Sequence, residues 1–365
     1  MKRAGYLDGL RGLACLQVVL AHYGASFFPH TYFGFVADGD SAVALFFLLS
    51  GFVLTSSFER TQAGAAAILS ARVLRLAVPA LLSVVLAVLL AGLCGGAALQ
   101  AATRLHSPFL TVEALASTGN ALPLRELSGF SLLFGYADVA MVKLPGQLMR
   151  IQSVNGPLWT MSYEIWGSAW IFLLVRARQR SNTAYRVLLA ASVPLFGVNE
   201  LCLFTLGHAA ARVARGQNEG RRDASLAGAV LILTGVELCG AHWFPPEVAA
   251  VLRHGGLVQP YARLVQAEVG AVAVFIGVLL CTPMRPLLAA WLPRHLGRLS
   301  FSIYLLHFPV MMDIGTALYL RLGAVAAFTV SLATVFLAAE VFARYVDAPV
   351  IAAAARMKAA AWHRA

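Results

Sequence analysis

Charge is the scarcest commodity in this 365-residue chain: Asp, Glu, Lys and Arg together make up 12% of it. Ordinary soluble domains carry about twice that share. So little charge cannot cover the surface of a soluble protein of this size, which excludes an ordinary cytosolic enzyme. Acidic residues are the scarcer sign, with 17 Asp+Glu against 28 Lys+Arg and a net charge of +11. The basic excess does not indicate nucleic acid, because the chain has neither a reader motif nor a polar basic face. Cysteine pairing is missing as well. Cys15, Cys94, Cys202, Cys239 and Cys281 stand singly in apolar segments with no CxxC, so neither a disulfide framework nor a zinc site is expected, and no metal. No small-residue cleavage site follows Lys2 and Arg3, and Asp8 and Arg11 interrupt the first apolar run. That run is therefore read as a retained span and not a signal peptide. No internal repeat or low-complexity linker divides the chain.

What the chain does have is apolar length, with 59% hydrophobic residues and a mean hydropathy of +0.75. A helix needs about 20 apolar residues to cross a hydrocarbon layer of roughly 30 Å. Runs that qualify or nearly do lie at 7–28, 41–58, 76–95, 158–175, 225–243, 264–281, 300–320 and 323–345. The stretch 187–215 reads as one long span or as two short ones broken near Asn199-Glu200. Two spans put 21 of the 28 Lys and Arg on the cytoplasmic side, including Lys2, Arg3, Arg221, Arg222 and Arg364. Arg104, Arg125, Lys143, Arg150, Arg253, Arg263 and Arg321 remain outside. The positive-inside rule favours that arrangement. The expected fold is all-α: a polytopic membrane helical bundle of about ten transmembrane helices with both termini cytoplasmic. One domain covers 1–350, with an extracytoplasmic loop at 96–157 carrying Pro108, Pro123, Pro145, Gly146 and Pro157, and a short cytoplasmic tail follows at 351–365.

Ionisable groups inside a bilayer are costly and are functional candidates by default. At about 1.5 Å per residue, His22 lies roughly 22 Å from the cytoplasmic side and Glu164 about 9 Å below the outer end of its span. Asp313 reaches a similar level, His307 and Ser50 lie nearer the midplane, and Arg11 enters only about 6 Å from the cytoplasmic side. Arg72 and Arg75 mark the cytoplasmic entry of the third span. A polar path thus crosses the membrane, although taken singly each residue has a plainer reading. A membrane His can bond a neighbouring helix, Arg72 and Arg75 can snorkel, and Ser50-Gly51 can serve close helix packing. Trp159, Tyr163 and Trp166 read most simply as an interfacial aromatic belt.

Taken together these segments resemble the membrane acyltransferase 3 family. The first span, YLDGLRGLACLQVVLAHYG, carries Arg11 and His22 in the family's Arg-x10-His spacing. FFLLSGF fits Phe-x-x-Ser-Gly at Phe47, Ser50 and Gly51, and RVLR supplies an Arg-x-x-Arg at Arg72 and Arg75. GPLWTMSYEIW is similar to the family's Trp-Ser-Leu-Ser-x-Glu segment through Trp159, Ser162 and Glu164. LGRLSFSIYLLHFPV matches a late segment at Gly297, Arg298, Ser300, Ser302, Tyr304, His307 and Pro309. The usual Glu-x-Pro near the last span is Asp347-Ala348-Pro349 here, a conservative departure.

The resemblance implies transfer of an acyl group, most often acetyl, from cytosolic acyl-CoA to a sugar hydroxyl of an envelope or exported glycan. It places the protein in the bacterial cytoplasmic (inner) membrane, with membrane lipid, acyl-CoA (acetyl-CoA first) and a glycan acceptor as partners. Ending at 365, without the hydrolase-like domain fused in some relatives, the chain is expected to act alone or with a separate partner protein. In this reading His22 is the base and Glu164 orients it, charges it or positions the acceptor. Arg11, Arg72 and Arg75 bind the phosphates of the polyanionic co-substrate. Ser50, Trp159, Ser162, Tyr304, His307 and Asp313 line the transfer path or the acceptor site. The rival reading of the polar residues is a proton-coupled transporter or flippase, but its marks, inverted repeats and paired broken helices, are not evident in the hydropathy.

Overall fold

The computed structural model describes residues 5–61, 63–117, 127–129, 132–133, 153–197, 199–216, 224–240 and 259–362. Lys2, Arg3, Arg125, Lys143, Arg150, Arg221, Arg222, Arg253 and Arg364, and Pro123, Pro145 and Gly146 of the expected outer loop, lie outside the described residues. Among the described residues every element is helical and there is no strand. In chain order the α-helices are α1 (Gly5–Phe27), α2 (Gly39–Arg60), α3 (Ala65–Cys94), α4 (Ala97–Leu105), α5 (Pro108–Ala116) and α6 (Thr160–Arg180). They continue as α7 (Asn182–Phe196), α8 (Glu200–Gly216), α9 (Ser225–Gly240), α10 (Gln259–Leu280), α11 (Met284–Leu288) and α12 (Trp291–Pro309). The last three are α13 (Thr316–Leu322), α14 (Ala324–Phe342) and α15 (Ala348–Trp362), with π-helical turns at Val310–Gly315 and Ala343–Asp347.

Among the described residues four continuous helical stretches are long and apolar enough to cross a membrane: Gly39–Arg60, Ala65–Cys94, Trp291–Leu322 and Ala324–Ala360. Large apolar side chains face outward along them and along α9, among them Leu93 (82% exposed), Leu337 and Leu226. Polar residues such as His307, His208, Asn155 and Ser302 are fully buried instead. An apolar exterior around a polar interior suits a lipid solvent and not water. The region 187–215 forms two helices, separated between Phe196 and Glu200. Asn199 caps the second, its Oδ1 accepting from the Leu201 N–H at 3.1 Å. The stretch expected as a tail from 351 is helical as far as Trp362 and packs along α3.

The seam between α1 and α12 positions the site. Arg11 meets Gly297, Cys15 meets Ser300, His22 meets His307 and Ser26 meets Met311, at sequence offsets of 286, 285, 285 and 285. A constant offset means that the two helices run parallel and in register. Glycine permits the approach. A Cβ at Gly297 would stand 1.9 Å from the Asp8 carbonyl oxygen, and one at Gly12 2.5 Å from the Gly297 nitrogen. Helix association inside a membrane depends on such close backbone packing, because lipid tails offer no hydrophobic contrast. Ten positions beyond Gly12 and Gly297, the register brings His22 against His307.

A second parallel seam joins α2 to α8. A Cβ at Gly51 would meet the Phe204 oxygen at 2.1 Å, and Thr55 and Glu59 pair with His208 and Arg212 at a shared offset of 153. The short helices α4 and α5 close over α1. Ser107 caps α5 by accepting from the Leu110 N–H and donates its own hydroxyl to the Ala25 carbonyl of α1 at 2.8 Å. With Pro108 in the first turn, where its missing N–H costs nothing, this tether fixes α5 against the end of α1.

Candidate active site

Two histidines meet at the α1–α12 seam. His22 Nδ1 lies 2.8 Å from His307 Nε2, and the ring planes are within 4° of parallel. His307 is fully buried, whereas His22 is partly exposed. The other His307 nitrogen, Nδ1, faces two carbonyl oxygens of its own helix, Tyr304 at 2.8 Å and Ile303 at 3.2 Å. Carbonyl oxygens only accept, so Nδ1 carries the proton and Nε2 presents its lone pair. His22 Nδ1–H then donates to that lone pair. Its own Nε2 is left with a lone pair aimed away from the dyad, which is what a general base needs. His307, and not Glu164, is thus the side chain that His22 bonds, Glu164 bonding Ser50 and Arg72 instead. Phe109 of α5 lies over the His22 ring (centroids 5.5 Å, 17°) and Phe308 meets it edge-on at 5.7 Å.

Pro309 helps hold this end of α12. Without an N–H it cannot donate to the Leu305 carbonyl, and Asn155 Nδ2 donates there instead at 2.9 Å while also donating to Ser83 Oγ of α3. The connection that carries GPLW is thereby pinned to both helices. Tyr304 OH donates to the Pro157 carbonyl at 2.9 Å and lies 3.0 Å from Thr160 Oγ1.

Glu164 stands in a second network. Its Oε1 accepts from Ser50 Oγ at 2.6 Å and its Oε2 from an Arg72 guanidinium nitrogen at 2.5 Å. Arg72 Nε donates to Ser168 Oγ at 2.9 Å, and Ser168 donates to the Glu164 carbonyl. Side-chain exposures of 16% and 11% mark this as a largely buried ion pair. Ser50 therefore serves the carboxylate, while its neighbour Gly51 serves the α2–α8 packing. Tyr304 stands between the two networks, its ring 5.8 Å from that of His307 and within electrostatic reach of Glu164.

The remaining expected residues are dispersed. Arg11 donates to the Gly297 carbonyl at 2.7 Å and pairs with Asp8 at 3.5 Å. Arg75 and Arg72 are electrostatic neighbours of Lys358, and Arg75 and Arg11 of Asp347. Ser162 donates to the Trp159 carbonyl of its own turn at 3.1 Å, and Trp159 packs against Phe47. Asp313 sits in the π-helical turn after Pro309, as an electrostatic neighbour of Cys94. Tyr163, read as a belt residue, is fully buried against Phe47 and Trp159 and belongs to the core, while Trp166 is 42% exposed. Three further neighbours of these groups have no motif that marks them in the sequence: Lys358 is one basic residue among many, Phe109 one aromatic among many, and Glu113 follows no periodicity. Among the described residues no group of His, Cys, Asp or Glu is arranged to hold a metal ion.

An apolar exterior, a histidine dyad with an open Nε2, and a buried carboxylate–guanidinium–hydroxyl network define a membrane protein with acid–base machinery in its interior. An acyltransferase domain family matches residues 4–343. The chain belongs to the acyltransferase 3 family and is a membrane acyltransferase. No curated protein and no solved structure matches it.

Proposed function

We propose that the protein moves an acyl group, acetyl in the first instance, from cytosolic acyl-CoA to a sugar hydroxyl of an envelope or exported glycan. We place it in a bacterial inner membrane, as a bundle of about ten spans with cytoplasmic termini by the positive-inside rule. The observation that carries the reading is the His22–His307 dyad. Acyl transfer to an alcohol requires removal of the hydroxyl proton as the oxygen attacks the thioester carbonyl, and His22 Nε2 is a lone pair oriented for that step. The new C–O bond forms, the C–S bond breaks, and the imidazolium of His22 returns the proton to the departing thiolate. His307 acts as a positioning residue: it holds the tautomer of His22 and accepts from the Nδ1–H that becomes more acidic in the imidazolium.

On the donor side, Arg11, Arg72, Arg75 and Lys358 supply the positive end of α1, α3 and α15 that a polyanionic co-substrate needs. Glu164 keeps Arg72 in place and neutralises part of its charge, and Ser50 and Tyr304 line the route between donor and dyad.

The test is acyl-CoA-dependent modification in inside-out membrane vesicles, read as a mass shift of the envelope glycans with and without the protein. The expected result is a fixed increment on one glycan species, abolished by His22→Ala at unchanged protein level. Transport of a glycan without any mass shift would refute the enzyme reading and favour a flippase.

A further inference from the structure

The proton balance of the proposed reaction closes with the dyad alone, so it leaves Glu113 of α5 unused. That residue follows Phe109 by one helical turn and so shares its face, the face that lies over the His22 ring. A Cβ at Gly156 would meet Glu113 Oε2 and Phe308 Cζ at 3.1 Å each. The carboxylate and Phe308 thus flank the same point, and Phe308 stands edge-on to His22. Glu113 Oε2 is screened from solvent and has no hydrogen-bond partner among the described residues. Burial pushes this carboxyl up to about 7. Leu110 and Ala114 supply the buried packing of α5, so the fold has no need of an acid at this position. A buried acceptor without a donor is costly, and a ligand hydroxyl would relieve that cost.

We propose that Glu113 is a specificity-determining residue of the acceptor site: its Oε2 accepts a hydrogen bond from the hydroxyl adjacent to the one that His22 deprotonates. The ligand class is a vicinal diol on a sugar ring, with the half-buried Phe109 offering an apolar face to the ring C–H groups. The inference rests on the acyl-transfer reading above.

The test uses the full-length protein purified in detergent, labelled acetyl-CoA, and a panel of methyl hexopyranosides with their monodeoxy analogues, with glycerol as a minimal vicinal diol. Glu113→Ala is expected to raise KM for the preferred glycoside by about tenfold, as loss of a hydrogen bond to a buried group does, and the isosteric Glu113→Gln, which keeps an acceptor oxygen, by less. KM for acetyl-CoA stays unchanged. In the wild type, removing one particular neighbouring hydroxyl from the glycoside gives a similar loss. In Glu113→Ala that removal costs nothing further, because the two changes delete the same contact. Discrimination by the variants equal to that of the wild type overturns the inference and leaves the acyl-transfer reading standing. If the wild type transfers acetyl to no diol in the panel, glycerol included, the acyl-transfer reading fails and the inference falls with it.

Discussion

A methyl group added at Gly297 has to find room where the Asp8 carbonyl oxygen sits 1.9 Å from its position. Ordinary contact begins near 3.4 Å, and the obstacle is backbone, not the end of a pliable side chain. Gly297→Ala therefore forces α1 and α12 apart by about 1.5 Å, the difference between those two distances. The dyad lies ten residues, roughly 15 Å, further along the same seam. If the helices part as rigid bodies, the 2.8 Å separation of His22 Nδ1 and His307 Nε2 opens beyond the roughly 3.5 Å at which a hydrogen bond is lost. Misplacement by about 1 Å at a reacting centre costs on the order of a hundredfold in rate, and that is the expected fall in kcat. KM for acyl-CoA is expected to hold within a few-fold. Initial rates with labelled acyl-CoA in membrane vesicles, normalised to immunodetected protein, measure both. Gly92→Ala, at a helix position with nothing within 4 Å of the added carbon, is the control and retains full activity. Wild-type kcat in Gly297→Ala at normal protein level would refute the claim that glycine packing sets the register of the dyad.

Other variants examine the remaining parts of the site. His307→Gln retains an acceptor for the His22 Nδ1–H and keeps a measurable fraction of kcat, whereas His307→Leu retains none. Equal loss in both, with unchanged pH–rate profiles, would reduce His307 to a packing role. Arg72→Ala and Glu164→Gln each leave half of a largely buried ion pair, a change that typically costs about 3–5 kcal/mol. Both should lower the melting temperature in detergent, and the double change Arg72→Leu/Glu164→Leu should recover the temperature without the activity. For Glu113, a folded-state pKa near 7 against an ordinary 4.5 means that the fold favours the protonated form. The wild type is thus expected to lose stability relative to Glu113→Gln as pH rises from 4.5 through 7, while below 4.5 the difference between them no longer changes with pH. Melting curves across that range check the sign. Lys358→Ala should raise KM for acyl-CoA a few-fold with kcat unchanged, and the effect should shrink in high salt because a half-buried charge is still partly screened.

The parts of this protein that follow from local chemistry could be read directly from the residues. The apolar runs could, because a bilayer allows few ways to satisfy a backbone. So could His22, His307 and Glu164, because ionisable groups in such runs need a reason to be there. Depth along a helix is computable from residue number, but lateral neighbours are not. His22 and Glu164 lie at nearly the same estimated depth, yet His22 bonds His307 and Glu164 bonds Ser50 and Arg72. The missing information was helix adjacency. It was present in outline in the spacing of small residues, since Gly12 and His22 are separated as Gly297 and His307 are. Glu113 and Phe109 could not be found that way, because the loop that folds α5 over α1 depends on Ser107 reaching the Ala25 carbonyl.

The pairing of Arg72 with Glu164 changes how the basic groups near the donor end must be understood. A guanidinium already bonded to a carboxylate and a serine contributes less net charge to a bound polyanion than its presence in an Arg-x-x-Arg pair suggests. It does have a fixed position, and position is what a transfer enzyme needs from it. Arg72 is tied to Glu164, Glu164 to Ser50, and Glu164 lies within reach of Tyr304, which flanks His307. Hydrogen bonds thus hold Arg72, Glu164 and Ser50 in one network, and Tyr304 stands between that network and the dyad with no long flexible cation between them. Lys358, carried on a helix of a continuous stretch some 37 residues long, sits differently. At about 1.5 Å per residue that stretch measures roughly 55 Å, far more than a hydrocarbon layer of about 30 Å. Lys358 lies near its C-terminal end, as an electrostatic neighbour of Arg75 and Arg72. In the proposed reaction the two kinds of cation divide the work, Lys358 attracting the co-substrate and Arg72 placing it. A variant of each should accordingly separate in kinetics, with Lys358 acting on KM and Arg72 on kcat.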